Sequence, residues 1–160
     1  MTSPIDRFVG DYHFLSNFYP AEASYDGVVY STSEHAYQAA KTFDAGQRKK
    51  IRQAGSPNLA KKLGRKVTMR SDWESVKVQV MYEIVLDKFK RHLDLQQKLL
   101  ETGDTKLIEG NSWNDVFWGT CRGRGKNHLG RILMRIRQEL GGKSAPSEPE
   151  RKEESGLFDG

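Results

Sequence analysis

The chain reads as an α+β domain, mostly helical, with a short β-hairpin region near its N-terminus. Three observations predict this. The segment ASYDGVVYS sets Asp26-Gly27 between two short apolar runs, the signal of a two-residue hairpin turn. Trp73, Val76, Val80, Met81, Ile84, Val85 and Phe89 fall on one stripe at helical spacing, which predicts a long amphipathic helix. Leu129, Ile132, Leu133 and Ile136 repeat that pattern and predict a closing helix over residues 129–140.

The elements follow in order. The opening FVGDYHFLSNFYP mixes aromatics with turn formers and reads as β. Residues 31–43 form a predicted first helix, and residues 44–54 a second that Gly55 ends. Ser56-Pro57 opens a third, with proline at the first helical position. The long helix begins at Ser71 or Asp72, and a short one over residues 95–102 stops at Gly103. Residues 105–128 form a long irregular stretch, and such stretches are often functional. Beyond Gly141 the chain turns to Gly, Ser, Pro, Glu and Lys, so a disordered, charged tail is expected over residues 141–160, after a catalytic domain over residues 1–140. The tail's apolar pair Leu157-Phe158 is a candidate docking peptide for another protein.

Composition narrows the function. No apolar run reaches the roughly 18 residues of a membrane span. MTSPIDRF lacks the apolar stretch of a secretory signal. Cys121 is the single cysteine, which excludes an internal disulfide and zinc sites built on several cysteines and fits a reducing cytoplasm. The four histidines show no close ligand spacing, so neither a metal nor another cofactor is expected. Net charge is +5; the tail has three basic against five acidic residues, which leaves +7 on residues 1–140. A basic body suits an anionic partner such as nucleic acid, a nucleotide or a sugar phosphate, and is equally the mark of a soluble surface without one.

Two strings carry candidate chemistry. In STSEHAYQAAK, Glu34, Gln38 and Lys41 stand four and three residues apart, so they share a helix face that holds an acid, an amide and an amine. Glu34 has two readings: the far end of a capping box begun by Ser31, or a catalytic carboxylate. The helix N-terminus would lower its pKa, favouring a base or cation stabiliser; an acid would need desolvation. Lys41 is either a solvated surface lysine or a buried amine with a lowered pKa, fit to form a Schiff base with an opened sugar. In WNDVFWG, Asp115 stands next to aromatics, whose desolvation would raise its pKa and make it a general acid; otherwise it is a turn residue. The following GTCRGRGKNHLG is glycine-rich and basic. Arg122, Arg124 and Lys126 would hold a phosphate there near a helix N-terminus, or the segment is a plain turn with Asn127 as helix cap.

Taken together, LSNFYP, YSTSEHAYQAAK, SPNLAKKLGR, WESVKVQVM, LIE, NDVFWG and GRGKNHLGRILMRIR run in order over about residues 8–140 and resemble the YbiA-like, or NADAR, family. The resemblance implies a compact, mostly helical α+β domain and N-glycosidase activity without metal. It implies two substrate classes: amino-sugar phosphate intermediates of riboflavin synthesis, and ADP-ribose attached to guanine in nucleic acid. Its essential glutamate falls on Glu34 and its lysine on Lys41; Trp73, Asp115 and Trp118 match further family positions. The expected catalytic set is therefore Glu34, Lys41 and Asp115. The expected substrate contacts are Asn17, Gln38, Trp73, Trp118, Gly119, Arg122, Arg124, Lys126 and Asn127. The expected reaction is removal of ADP-ribose from guanine, a reversal of ADP-ribosylation of the DNA-repair kind. The alternatives are hydrolysis of a ribosylamino-pyrimidine phosphate and a non-catalytic ADP-ribose-binding module.

Overall fold

The hairpin forms where the sequence predicts it. In the computed structural model, which describes residues 3–141, β1 (Ala23–Tyr25) and β2 (Val28–Tyr30) pair antiparallel, with Tyr25 opposite Val28. Asp26 and Gly27 both have positive φ, 53° and 80°, the twist a two-residue hairpin turn needs. The opening segment departs from expectation. Gly10–Leu15 is a 3₁₀ helix, not a strand. Its buried residues are the adjacent pair Phe14 and Leu15, so it lacks the alternation that would bury one face of a strand. The carbonyls of Phe14 and Ser16 bond instead to the side chain of Lys88, at 2.7 and 3.0 Å.

Three short helices follow: α1 (Ser33–Ala40), α2 (Ala45–Arg52) and α3 (Pro57–Gly64). Each start has its own cap. Asp44 Oδ1 accepts from Gln47 N, and Ser56 Oγ from Leu59 N, with Pro57 in the first turn as predicted. The predicted capping box at Ser31 does not form. Ser31 is exposed, and the cap is Thr32, whose Oγ1 accepts from His35 N at 3.1 Å. His35 Nε2 lies 2.9 Å from the Ala54 carbonyl, which can only accept, so Nε2 carries the proton and Nδ1 accepts from the Thr32 hydroxyl at 2.7 Å. This relay ties the start of α1 to the end of α2.

All eight residues of α1 are buried, and the helix packs against α2, α3, α4 and β1. Ala36, Ala39 and Ala40 leave room for close approach. A Cβ on Gly64 would overlap the Gln38 side chain, so a glycine on α3 sets the contact between those two helices. The long helix α4 (Trp73–Arg91) buries Trp73, Val80, Met81, Ile84, Val85 and Phe89, with Val76 packed against the core, as the stripe predicts. It also buries Lys88. Helices α5 (Leu93–Glu101) and α6 (His128–Leu140) complete the helical layer; α6 buries Leu129, Ile132, Leu133 and Ile136.

The stretch expected to be irregular is partly ordered as sheet. β3 (Gly110–Asn111) and β4 (Thr120–Cys121) pair parallel, and Ile5 bridges to Leu107 beside them. Two-residue strands are too short to show a period in sequence. Among the described residues no helix is long and apolar enough to cross a membrane. The tail beyond Gly141, with Leu157-Phe158, lies outside the described residues.

The capping geometry gives a direct check. Thr32→Ala removes the acceptor for His35 N and the donor for His35 Nδ1, and is expected to cost about 1–3 kcal/mol. Ser31→Ala is expected to stay within about 0.5 kcal/mol. Urea unfolding of the two variants measures the difference.

Candidate active site

A cavity of about 570 Å³ opens between α1, α3, the segment after the 3₁₀ helix and the loop that carries β3 and β4. That size suits a small organic ligand. Its α1 wall is Glu34, Tyr37, Gln38 and Lys41, the stripe that positions i, i+3, i+4 and i+7 make on a helix. The face predicted from the sequence therefore does face a cavity.

Glu34 is buried, and its carboxylate accepts from Gln38 Nε2 at 2.6 Å. Burial raises its pKa; the Gln38 bond and the charges of Lys61 and Lys41 pull it back, and Asp115 pushes it up. The direction is opposite to the lowering expected from the helix N-terminus, because desolvation outweighs the helix field here. The Glu34 amide donates to the Asn17 carbonyl at 3.0 Å, so Asn17 helps hold the start of α1. Lys41, just past the end of α1, is half-buried. Burial lowers its pKa; Glu34 raises it, and Arg65, Lys61 and Lys77 lower it further. The site thus places on one helix face an acid and an amine whose charged forms are both disfavoured by burial.

Asn17 and Gln38 both line the cavity, and each has a buried amide oxygen without a hydrogen-bond partner. The amide nitrogens are engaged, Asn17 with Met81 Sδ at 3.3 Å and Gln38 with Glu34. Unpaired buried acceptors of this kind cost about 1–3 kcal/mol each; Gln38 Oε1 is packed against Gly64 on α3, which leaves Asn17 Oδ1 as the acceptor a sugar hydroxyl could satisfy.

The opposite wall comes from the β3–β4 loop. Asp115 lines the cavity, and its Oδ1 accepts from the amides of Phe117 and Trp118 at 3.1 and 2.9 Å. It is thus the turn residue of one reading and a cavity carboxylate of the other. Trp118 lines the cavity and donates from Nε1 to Tyr37 Oη at 3.2 Å. Trp73, expected to wall the substrate, is buried behind Tyr37 with ring centroids 5.2 Å apart and does not line the cavity. Tyr37 takes that wall position because it stands one turn from Glu34 on the same stripe.

The glycine-rich segment is also placed differently from expectation. Arg122, Arg124 and Lys126 are exposed and do not line the cavity. Cys121 and Arg124 exchange backbone bonds around a tight turn in which Arg122 and Gly123 have positive φ, so the segment folds on itself rather than around a phosphate. Asn127 is buried; its Oδ1 accepts from the Glu109 amide and its Nδ2 donates to the Leu107 carbonyl, both at 3.0 Å. Gly119 lies outside the cavity lining, and a Cβ there would overlap the carbonyl and carboxylate of Glu109. Both residues thus serve the chain around Glu109, not the substrate.

Glu109 is the residue the sequence reading missed. It lines the cavity half-buried, and its pKa is pushed up to about 7, chiefly by burial, with Asp115 and Glu34 adding to the rise and Asn111 and Lys61 opposing it. It sits in the irregular stretch, where no periodicity points to an inward side chain. Lys61 on α3 and the exposed rim residue Trp113 were missed too. Lys61 reads as one surface lysine among several on a short helix.

The raised acid has a stability consequence. Between about pH 4.5 and 7 the folded protein holds a proton on Glu109 that the unfolded chain releases, so the stabilisation from that proton is lost as pH rises through this window. Glu34 acts in the same sense. Glu109→Gln is expected to flatten the fall in Tm across this range, which thermal melts at pH 5, 6 and 7.5 read directly.

N-glycosidase YbiA of Escherichia coli (strain K12) is 42% identical over 133 residues, spanning 81% of this chain and 82% of the relative. The riboflavin biosynthesis protein VVA0006 of Vibrio vulnificus (strain YJ016) is 41% identical over 145 residues, 88% of this chain and 39% of that one. The NMR structure of the E. coli protein YbiA superposes with a TM-score of 0.78 at 40% identity, covering 88% of this chain and 87% of that one. The NADAR domain matches residues 7–141, and with that extent of likeness the chain belongs to the NADAR family.

Proposed function

We propose that the cavity hydrolyses the N-glycosidic bond of a phosphorylated ribose, most specifically ADP-ribose carried on guanine, through an imine on Lys41. The carrying observation is the α1 wall, where Glu34 and Lys41 face the cavity from one helix stripe and burial disfavours the charged form of each. Relatives named N-glycosidases support the enzyme class.

The steps balance as follows. A ribose joined to an exocyclic amino nitrogen opens its ring when a cavity acid, Glu34 or Glu109, protonates the ring oxygen and the nitrogen lone pair forms a C1′=N iminium. The neutral Lys41 Nζ adds to C1′, and the aglycone nitrogen takes a proton and leaves as the free amine. Water adds to the resulting C1′=Nζ imine, the bond to Lys41 breaks, and the freed aldehyde closes to ribose. One water is consumed. The unpaired amide oxygen of Asn17 would accept from a ribose hydroxyl, and Trp118 with the exposed Trp113 would flank the planar base.

A ribosylamino-pyrimidine phosphate is the second reading. It is favoured by the position of the Arg122–Lys126 segment off the cavity, and by relatives named riboflavin biosynthesis proteins. Rates on ADP-ribosylated guanine in an oligonucleotide and on the pyrimidine phosphate, run side by side, separate the two. A nucleic-acid substrate is expected to lose rate steeply between low and physiological salt; a flat salt response with faster pyrimidine turnover assigns the small metabolite.

Glu34→Gln is expected to lower kcat by about 10²–10⁴ while leaving the fold intact, since Thr32 and not Glu34 caps the helix. Borohydride added during turnover is expected to leave a sugar adduct on Lys41, found by peptide mass, and Lys41→Arg to lose both adduct and activity. An active Lys41→Arg enzyme rules the imine out and leaves a carboxylate-stabilised oxocarbenium route. We further propose that residues 1–140 are the whole catalytic unit. Deleting residues 142–160 is expected to leave turnover on small substrates unchanged.

A further inference from the structure

We propose that Lys61, with Asn58 one turn before it on α3, binds the phosphoryl group that the substrate ribose carries, the role the sequence suggests for Arg122, Arg124 and Lys126. The inference rests on the N-glycosidase reading and names the part of the site that recognises the phosphate.

The argument begins with what lines the cavity. Its carboxylates, Glu34, Glu109 and Asp115, come from α1 and the β3–β4 loop. Among the described residues its only lysines are Lys41 and Lys61, and no arginine lines it. Lys41 is the amine whose proton burial disfavours, so it is poorly suited to hold a permanent ion pair. Lys61 is half-buried and has no carboxylate or hydrogen-bond partner among the described residues, whereas Arg48, Arg70, Lys77, Arg91 and Arg135 all have acidic partners. A cation held partly out of water with no direct ion-pair partner is well placed to take an anion that enters the cavity.

The position of this lysine is set by the fold. Ala60 on α3 is fully buried, and Gly64 seats the Gln38 side chain, so α3 cannot slide relative to the α1 wall. Asn58 and Lys61 are three residues apart and share a face that reaches the cavity. Lys61 lines the same cavity as Glu34, Lys41 and Glu109, and its charge acts on all three, so it does not stand on a remote surface. The acidic side chains lie on α1 and the β3–β4 loop and offer a phosphate no counter-charge, whereas Lys61 on α3 does. That polarity orients the ribose with its phosphate at α3 and its aglycone toward Trp118 and Trp113.

Equilibrium binding tests this without turnover. Ribose 5-phosphate, ADP-ribose and ribose are titrated by calorimetry into the wild type, Lys61→Gln, Lys61→Arg and the loop variant Arg122→Ala/Arg124→Ala/Lys126→Ala. The wild type is expected to prefer ribose 5-phosphate over ribose. Lys61→Gln is expected to cut that preference roughly tenfold or more while leaving ribose binding alone. Lys61→Arg and the loop variant are expected to keep it. Weakened binding of both phosphorylated ligands supports the proposal; weakened ADP-ribose binding with the ribose 5-phosphate preference intact counts against it. An unchanged preference in a folded Lys61→Gln protein, or its loss in the loop variant, overturns the proposal. A protein that binds ribose 5-phosphate through Lys61 but cleaves no N-glycoside instead sinks the proposed reaction and keeps the phosphate site.

Discussion

The structure turns on the burial of a short polar helix. Every residue of α1 is inside, yet the helix carries Thr32 at its cap and Ser33, Glu34, His35 and Gln38 along its length. Buried polar groups demand partners, and the fold supplies part of them inside the same few residues, Thr32 with His35 and Gln38 with Glu34 at 2.6 Å, while Ser33 Oγ and Gln38 Oε1 stay unpaired. The helix can enter the core because its other positions are three alanines and Tyr37, and because α3 presents a glycine to Gln38. The polar stripe that remains is forced to line a cavity, since no apolar neighbour can cover it without leaving a carboxyl and an amine stranded.

The electrostatics of the cavity follow from that burial. Desolvation acts on Glu34, Glu109 and Lys41 together and always toward the neutral form, up for the acids and down for the amine. Lys61 opposes the shift of both acids while adding to that of Lys41. One unpaired cation on α3 thus moderates the acids and helps free the amine, which links a phosphate-recognition role to the reactivity of Lys41.

The loop between α5 and α6 shows how residues that look functional can act one step away from substrate. Asp115 spends one carboxylate oxygen on the amides of Phe117 and Trp118, and that turn sets Trp118 against Tyr37. Asn127 grips the chain on both sides of Ile108, and Gly119 gives the space that Glu109 fills. Lys88, buried on α4 with its pKa pushed down to about 7, plays the same supporting part for the segment that ends in Asn17.

The hairpin, the six helices and the inward stripes of α4 and α6 were legible in the sequence, because a two-residue Asp-Gly turn, a Ser-Pro start and a period of 3.6 are local properties. So was the shared face of Glu34, Gln38 and Lys41, which helix geometry alone dictates. What lay across from that face was not legible. Glu109 and Lys61 reach the cavity through contacts between segments distant in the chain. The basic loop leaves it because Arg122 and Gly123 close a turn on themselves. The sign of the Glu34 shift was likewise a tertiary matter. A helix terminus is a local field that favours the anion, but desolvation depends on everything packed around the carboxyl, and in this fold desolvation is the larger effect.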